Sequence, residues 1–452
     1  MKSLFGTLSL LSSIARPAMN VVLAVVILDS VSGTSQTTET VGSVPLDWKG
    51  SEPLSPTNPI SLSERDIQSS SPLLSLDAPL DLSDQPRGGL DAGDRSPEID
   101  PWVAGHSVET ASLGDVGWSD EFSLAGIGGP VYAIAIDSSG NLYVGGSFTT
   151  AGSASASNIA KWDGSAWSPL GSGTNDIVSA LAVDGSDIYA GGYFTTAGGA
   201  GADYVAIWDG STWSPLGSGL NDAVYALAAD GSGNLYAGGV FTTAGGVSAD
   251  YIAKWNGSSW SPLGGYTDDV VFALLVDDIG DLYAGGAYVT IGGTTTYHIA
   301  RWNGSTWTPL GSGLDGNVEG LAMDDSGNLY AGGTSTWPVA EWDGSNWSQV
   351  GGGIDNIVSA LAVDGGGNVY AGGGFTAAGG SSANYIAKWN GSTWSPLGSG
   401  TDGAVYALAV DSSGSVNVGG EFTTAGTKSS DNIAVWSEPY LIYLPLTLRN
   451  AP

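Results

Sequence analysis

Carboxylates are the side chains through which this chain could do chemistry. Its 452 residues include 45 Asp and Glu, no Cys, and only His106 and His298. Without cysteine there is no thiolate zinc site and no thiol nucleophile, and two histidines give little basis for a Ser–His–Asp or metal-hydrolase site. Carboxylate chemistry remains, either as binding of a hard cation such as Ca²⁺ or as the paired acid and base of a glycosidase.

One set of acids recurs at a spacing of about 46 residues, each shortly before a hydrophobic segment that begins with Val. Its members are Asp176, Asp222, Asp268, Asp269, Asp315, Asp355 and Asp402. Because oxygen ligands suit Ca²⁺, one hypothesis is a calcium site. Its predicted ligands are Asp176, Asp222, Asp268, Asp269 and Asp402. The alternative is that these are solvated loop acids and that the protein holds no cofactor.

A second candidate site is marked by a departure from the repeat. The fifth unit spans 40 residues (358 − 318) where most span 46 or 47, and it has Trp337-Pro338 in place of a Phe-Thr-Thr-Ala-Gly-Gly loop. An exposed Trp beside acids suits sugar or peptide binding. The predicted ligand-binding residues are Trp337, Glu319, Glu341, Asp315 and Asp355. A neutral deletion is the alternative.

Trp337 falls where the long loop has been cut, outside the recurring pair Trp342 and Trp347. We therefore expect it to be more exposed than the repeating tryptophans and to lie on the face that carries this loop. The only other unusual side chain inside the repeats is His298, which stands where sister units have Tyr. We expect a structural substitution there.

These residues belong to a segment that repeats seven times between Trp118 and Trp436. A fixed period of 40–50 residues indicates a propeller or a solenoid. Each unit predicts four strands: a hydrophobic strand A, a strand B ending in Gly-Gly, and strands C and D joined by Asp-Gly or Asn-Gly with a Trp on either side. The regular recurrence of these tryptophan pairs favours core packing over ligand stacking. The units begin at Val131, Val178, Val224, Val271, Val318, Val358 and Val405.

The end of the repeat region predicts how the ring closes. The seventh unit supplies strands A, B and C and stops at Trp436, while residues 116–122 before the first unit match a lone strand D. The sequence therefore predicts an all-β fold, a seven-bladed β-propeller with four-stranded antiparallel blades, closed by an N-terminal strand that completes the last blade. Such closure leaves no open strand edge.

The flanking segments predict the compartment. Residues 1–33 carry Lys2 and Arg16, an apolar run from Val21 to Leu28 and then small residues, which predicts a signal peptide; a disordered tail is the alternative. The run is too short to span a bilayer, so no integral membrane span is expected. Residues 34–115 predict a disordered Ser/Pro/Asp-rich linker, 116–437 the propeller and 438–452 an apolar tail, either a sorting signal or a strand that packs on the propeller. The protein is thus expected to be secreted, extracellular or on the cell surface.

The charge balance excludes one class of partner. Twelve Lys and Arg against 45 Asp and Glu give a formal net charge of −33. Such a chain repels phosphate, so nucleic acid and anionic lipid are poor partners. The charge either keeps a glycine-rich surface soluble or attracts cations and cationic partners.

The order of these elements resembles the Kelch-repeat β-propeller family. The matching features are the hydrophobic A strand, the Leu-Tyr-Ala-Gly-Gly ending of B, and the aromatic before a turn with Trp a few residues later. The stretch from Asp137 to Gly146 is also similar to repeats of bacterial secreted propellers. The resemblance implies partner binding on the face built from the D–A and B–C loops. The Kelch-like copper radical oxidases need Cys and several His, so their activity is excluded.

Together these features predict a secreted or cell-surface, non-catalytic binding or scaffold propeller that recognises a protein or glycan through its D–A and B–C loop face. The alternative is a secreted carbohydrate-active enzyme with carboxylates at the channel mouth. An enzyme should bring two or three carboxylates together in one pocket with shifted pKa values. A binding module should show dispersed acids and exposed aromatics.

Overall fold

The structure, a computed structural model, describes residues 21–25, 113–123 and 126–444. It divides into one unit of Gly114–Glu438 and another of Met1–Leu113 with Pro439–Pro452. In the latter, strand Val21–Val25 pairs in parallel with strand Tyr440–Leu444. Apart from these segments, the predicted signal peptide, linker and apolar tail lie outside the described residues. Within the described part of the chain, no helix is long and apolar enough to cross a membrane.

The larger unit is a seven-bladed β-propeller, as predicted. Each blade is an antiparallel sheet in the order A–B–C–D, and the seventh has three full strands plus a bridge to the N-terminal segment. The A strands are Val131–Ile136, Val178–Asp184, Val224–Ala229, Val271–Val276, Val318–Met323, Val358–Val363 and Val405–Val410. The B strands are Leu142–Gly146, Asp187–Gly192, Leu235–Gly239, Leu282–Gly286, Leu329–Gly333, Val369–Gly373 and Val416–Gly420.

The outer strands follow the same plan. The C strands are Ile159–Trp162, Val205–Trp208, Ile252–Trp255, Ile299–Trp302, Val339–Trp342, Ile386–Trp389 and Ile433–Trp436. The D strands are Trp167–Pro169, Trp213–Pro215, Trp260–Pro262, Trp307–Pro309, Trp347–Gln349 and Trp394–Pro396. One short 3-10 helix, Leu113–Gly117, precedes the first blade.

The Gly-Gly pairs of the B strands lie where strand B of one blade packs closely against strand A of the next. A Cβ added to Gly191 would stand 2.6 Å from Cγ1 of Val224 in the next blade, well inside the ordinary carbon–carbon contact of about 3.5 Å. The second glycine, Gly192, faces the carbonyl of Ile177 beside a bulge at the start of strand A. Only glycine leaves room for both contacts.

The tryptophan pairs of the C–D hairpins are core residues, as predicted. The rings of Trp208 and Trp213 lie 5.5 Å apart, and Trp213 is buried. The hairpin turn between them is fixed by Asp209, whose Oδ1 accepts the backbone N–H groups of Ser211 and Thr212. The same local bonds recur at the other Asp-Gly and Asn-Gly turns, so turn chemistry and aromatic burial together define each outer edge.

The N-terminal segment completes the seventh blade. Trp118 forms an antiparallel bridge with Trp436, and the N–H of Ser119 donates to the carbonyl of Val435 at 2.9 Å. The contact is one bridge rather than a full strand. The 3-10 helix precedes this bridge. Its Asp115 carboxylate accepts the N–H of Ser399 at 2.7 Å, which holds the helix against the sixth blade.

Trp118 occupies the place of a D-strand tryptophan. It is fully buried, and its indole N–H donates to the carbonyl of Leu397 in the preceding blade at 3.0 Å. Equivalent bonds to the preceding blade are made by Trp213, Trp260, Trp307, Trp347 and Trp394. The predicted closure of the ring is therefore confirmed.

Six of the seven B–C connections in the described propeller contain a small hairpin, in which each of the two strands has two residues. In each blade that has one, this hairpin lies over the outer edge; in the second blade, for example, a Cβ on Gly198 would meet Cβ of Trp213 at 3.0 Å. The hairpins are Thr150–Ala151 with Ala154–Ser155, Thr196–Ala197 with Ala200–Gly201, Thr243–Ala244 with Val247–Ser248, Thr290–Ile291 with Thr294–Thr295, Ala377–Ala378 with Ser381–Ser382, and Thr424–Ala425 with Lys428–Ser429. The fifth blade lacks this cover.

His298 is a structural substitution, as expected. It ends the B–C connection of the fourth blade with φ 73°, and Tyr204 and Tyr251 occupy the same position with φ 65°. The backbone N–H of each donates to the aromatic residue at the start of its connection, which is Tyr288 in the case of His298. The residue therefore ends the loop with a backbone in the left-handed region, as Tyr does in sister blades.

We predict that Trp118→Ala lowers the free energy of unfolding by about 3–5 kcal/mol, because it removes a large, fully buried side chain at the ring closure. Denaturant unfolding of the full chain measures the loss. Tyr266→Ala, at a side chain that is 58% exposed, is the control and should change the free energy by less than about 0.5 kcal/mol. A Trp118→Ala effect as small as the control's would contradict the closure.

Candidate functional site

The D–A loop acids at one position hold the B–C loops in place. Oδ1 of Asp402 accepts the N–H groups of Thr423 and Thr424 at 2.7 and 2.9 Å, and Oδ2 accepts the Thr423 hydroxyl at 2.6 Å. Burial alone would raise the pKa of Asp402, but these hydrogen bonds outweigh it and the pKa is lowered. Asn221 makes the same backbone bonds in the third blade. A side-chain amide can therefore hold the B–C loop through these backbone hydrogen bonds as a carboxylate does.

The predicted calcium ligands occupy two different loop positions. Asp268 and Asp402 lie at the clamping position, whereas Asp176, Asp222 and Asp269 lie one residue later and each accept the N–H of the following residue at 2.8 Å. Among the described residues, no three His, Cys, Asp or Glu side chains are grouped so that they could hold a metal ion. The structure does not bring the five acids together, and calcium binding stays a prediction.

Calcium binding has a direct test. An ion held by Asp268 and Asp269 would raise the melting temperature with occupancy in millimolar Ca²⁺. The double variant Asp268→Asn with Asp269→Asn should lose that rise but keep the loop clamp, because asparagine forms it in the third blade. Melting curves in Ca²⁺ and in EDTA give the answer. Identical melting curves of the unaltered protein in Ca²⁺ and in EDTA would contradict the calcium hypothesis.

The predicted ligand-binding residues do not form one site. Asp355 clamps the B–C loop of the sixth blade through Thr376. Glu341 lies beside Tyr330, whose hydroxyl donates to it at 3.5 Å, and burial raises the pKa of Glu341. Glu319 lines the central channel. Trp337 and Asp315 alone share a pocket.

That pocket, the blade-5 pocket, has a volume of about 340 Å³ on the outer part of the fifth blade. It exists because the B–C connection there is short: residues 334–338 replace the twelve residues 240–251 of the third blade, and no hairpin covers the edge. Its walls are Gly311, Ser312, Gly313, Leu314, Asp315, Ser335, Thr336, Trp337, Trp342, Ser345, Asn346 and Trp347.

Three tryptophans meet in the blade-5 pocket. Trp337 is 38% exposed, more than any repeating tryptophan of the described blades, which confirms the predicted exposure. Trp347 is only partly buried, whereas the other D-strand tryptophans are buried. Without the hairpin, Trp347 is more exposed than the other D-strand tryptophans and, with Trp342, lines the pocket.

The short connection is held rigidly by its own hydrogen bonds. Oγ of Ser335 accepts the N–H of Trp337 at 3.0 Å and donates to its carbonyl at 3.2 Å. Thr336 donates its N–H and its hydroxyl to Asp315 at 3.0 and 2.6 Å. The Thr336 hydroxyl bond lowers the pKa of Asp315, so this carboxylate stays ionised at the pocket wall. Trp337 is thus presented without a loop that must first become ordered.

A second cluster of candidate functional side chains lies at the mouth of the central channel. This is the end of the A strands that carries the D–A loops. The channel cavity is about 240 Å³ and is lined by all seven A strands. The second residue of each A strand forms its rim, in the order Tyr132, Ser179, Tyr225, Phe272, Glu319, Ser359 and Tyr406. Sequence analysis singled out Glu319 but missed the aromatic residues. Their recurrence at one strand position was the available signal.

Glu319 is the charged group of this rim. Burial raises its pKa, and a hydrogen bond with Ser359 only partly offsets that effect. Of the described residues that line the channel cavity, Glu319 alone carries a charge. This carboxyl group therefore faces the cavity with no basic side chain among the described residues of its wall.

The pKa shift of Glu319 predicts a pH dependence. A carboxyl group whose pKa is raised on folding destabilises the fold when ionised, and the cost disappears as the pH falls through the folded-state pKa and then the ordinary Glu range. Glu319→Gln should therefore unfold at higher denaturant than the unaltered protein at pH 8, with a difference that vanishes near pH 4. Asp325→Asn, in the exposed A–B turn of the same blade, is the control. A variant less stable than the parent at pH 8 would contradict this.

No family model matches the chain, and no curated protein matches it either. Among solved structures, the chain is similar to the extracellular domain of a one component system from B. thetaiotaomicron, with 12% identity and a TM-score of 0.49 over 73% of this chain. The match spans 41% of that chain, so well under half of its length is represented.

Two further solved structures are similar to this chain at the level of the fold. The WD40 repeats of RRP9 align with 16% identity and a TM-score of 0.48, over 69% of this chain and 96% of that one. YCF48 bound to D1 peptide aligns with 14% identity and a TM-score of 0.45, over 70% and 95%. Likenesses of this size concern the propeller architecture alone.

Proposed function

We propose that this protein is a secreted, Kelch-type, non-catalytic binding propeller that recognises a glycan in the blade-5 pocket. One observation carries the proposal: Trp337, Trp342 and Trp347 meet beside an ionised Asp315 where every other B–C connection of the described propeller covers the blade edge. Secretion rests on the N-terminal sequence, and the Kelch type rests on the repeat pattern. The pocket supports the ligand class.

A sugar matches the chemistry of these walls better than a purely apolar group. Indole rings pack against the C–H faces of a sugar ring, and the hydroxyls around that ring need donors and acceptors. Asp315 accepts two hydrogen bonds from Thr336 and lines the pocket as an ionised acceptor. Asn346, Ser345 and Ser312 add further polar groups to the walls. Since ligand pockets range from about 300 to 1,000 Å³, this one suits one or two sugar rings.

The distribution of carboxylates supports binding over the enzyme alternative. Glycoside hydrolysis ordinarily uses two carboxyl groups on either side of the scissile bond. Asp315 is the one carboxylate among the described residues that line the blade-5 pocket, and Glu319 is the one in the channel cavity. Glu421 also lies near the channel mouth, but on the seventh blade, where it accepts the hydroxyl of Tyr406 at 3.3 Å.

We expect Trp337→Ala to weaken glycan binding by at least about tenfold, the effect of losing roughly 1.4 kcal/mol of stacking, while the fold survives because the side chain is exposed. A glycan array with the full chain identifies the ligand, and calorimetric titration of the best glycan measures the affinity. Tyr266→Ala, an exposed aromatic of the fourth-blade D–A loop, is the matched control and should bind normally.

The same proteins and binding assays distinguish the other hypotheses. Binding confined to peptides, or glycan binding that Trp337→Ala leaves unchanged, would contradict the proposal. Release of new reducing ends from a bound oligosaccharide would favour the enzyme alternative, and Glu319→Gln would then show whether the channel mouth performs the reaction.

A further inference from the structure

Aromatic faces surround the mouth of the central channel. The rings of Tyr132 and Tyr406 lie 5.4 Å apart, and Tyr225 stacks on Phe272 at 5.9 Å with an interplanar angle of 20°. Tyr193 reaches in from the second blade, and its hydroxyl lies 3.1 Å from that of Tyr225. These contacts form two aromatic groups on the rim, one from the first and seventh blades and one from the second, third and fourth blades.

Two carboxylates complete the rim. Glu319 lies on the fifth blade between Phe272 and Ser359 in ring order, and Glu421 receives a hydrogen bond from Tyr406 on the seventh blade. Burial, with the Glu421 charge as a further cause, raises the pKa of Tyr132. Burial likewise raises the pKa of Tyr193 and of Tyr406, so these three tyrosines are neutral at physiological pH.

No basic side chain of the described propeller is available to neutralise this rim. All five described Lys and Arg residues have partners on the outer strands or loops: Lys161 and Lys254 over tyrosine rings, Arg301 on Asp281, Lys388 on Glu438 and Lys428 on Asp120. None of these five described basic side chains therefore supplies a cation to the channel mouth.

The layers below the rim limit how far a ligand can enter. The next residue of the A strands is small in every blade, as at Ala226 and Gly320, and the one after is Leu or Ile, as at Leu227 and Leu321. Both layers line the cavity and carry no polar side chain. A charged group would therefore stop at the level of Glu319, where the carboxylate and the aromatic faces can reach it.

We propose that the channel mouth binds a guanidinium-type organic cation, with Glu319 as its carboxylate partner and the tyrosine and phenylalanine rings as its stacking surface. A guanidinium is planar, weakly hydrated and rich in donors, so it can stack on a ring and hydrogen-bond a carboxylate at the same time. The cavity of about 240 Å³ has room for the end of an arginine side chain. This site is separate from the blade-5 pocket and does not depend on it.

The test uses the full chain and three probes at low salt: methylguanidinium, a short peptide with one arginine, and the same peptide with citrulline, which keeps the shape but lacks the charge. We expect the arginine peptide to bind at least about tenfold more tightly than the citrulline peptide and to weaken as salt rises. A peptide that binds better than methylguanidinium indicates a side chain of a partner as the source, and equal affinities indicate a free small cation. Both outcomes support the cation site.

Two variants test whether cation binding depends on the rim or only on the negative charge of the whole protein. Glu319→Gln should weaken arginine-peptide binding about tenfold or more while the blade-5 pocket still binds its glycan. Asp325→Asn removes one charge in the exposed A–B turn at the other end of the same strand and should leave binding unchanged. Equal binding of the citrulline peptide, equal effects of the two variants, or no binding of either cationic probe at millimolar concentration would overturn the proposal.

Discussion

The whole ring depends on the close approach between strand B of one blade and strand A of the next. At each of the seven junctions, a side chain on the first glycine of the Gly-Gly pair would collide with the opening Val of the neighbouring A strand. The junction of Gly419 with Val131 joins the last blade to the first. Because the same contact is made seven times, the opening Val and the Gly-Gly pair occur in all seven units. Trp118 then closes the outer edge.

Both candidate sites lie away from these junction contacts. The B–C hairpin covers the outer edge of a blade, and in the fifth blade, which lacks it, Trp347 is only partly buried. The second residue of the A strand varies in type, being aromatic in four blades, Glu319 in the fifth blade and Ser in the other two. Both candidate sites can therefore vary without loss of the ring.

The fold was predictable from sequence because its signals are local and repeated: hairpin turns, tryptophan pairs and glycine pairs each specify their own short segment. The sites were less predictable because they depend on register and on convergence of distant segments. Glu319 and Glu341 belong to one blade, yet one faces the channel and the other faces Tyr330 on the far side of the sheet. Asp176 and Asp268 were grouped together although they differ by one loop position. The aromatic rim appears only once the ring is closed.

The most direct test of this account is to restore the missing cover. Residues 334–338 are replaced by residues 240–251 of the third blade, and glycan affinity and the free energy of unfolding are measured on the grafted protein. The account predicts that the graft folds with at least the stability of the parent, since it rebuilds a contact made in six blades, and that glycan binding falls at least about tenfold. A grafted protein that folds normally and binds the glycan as tightly as the parent would show that the blade-5 pocket is not the binding site.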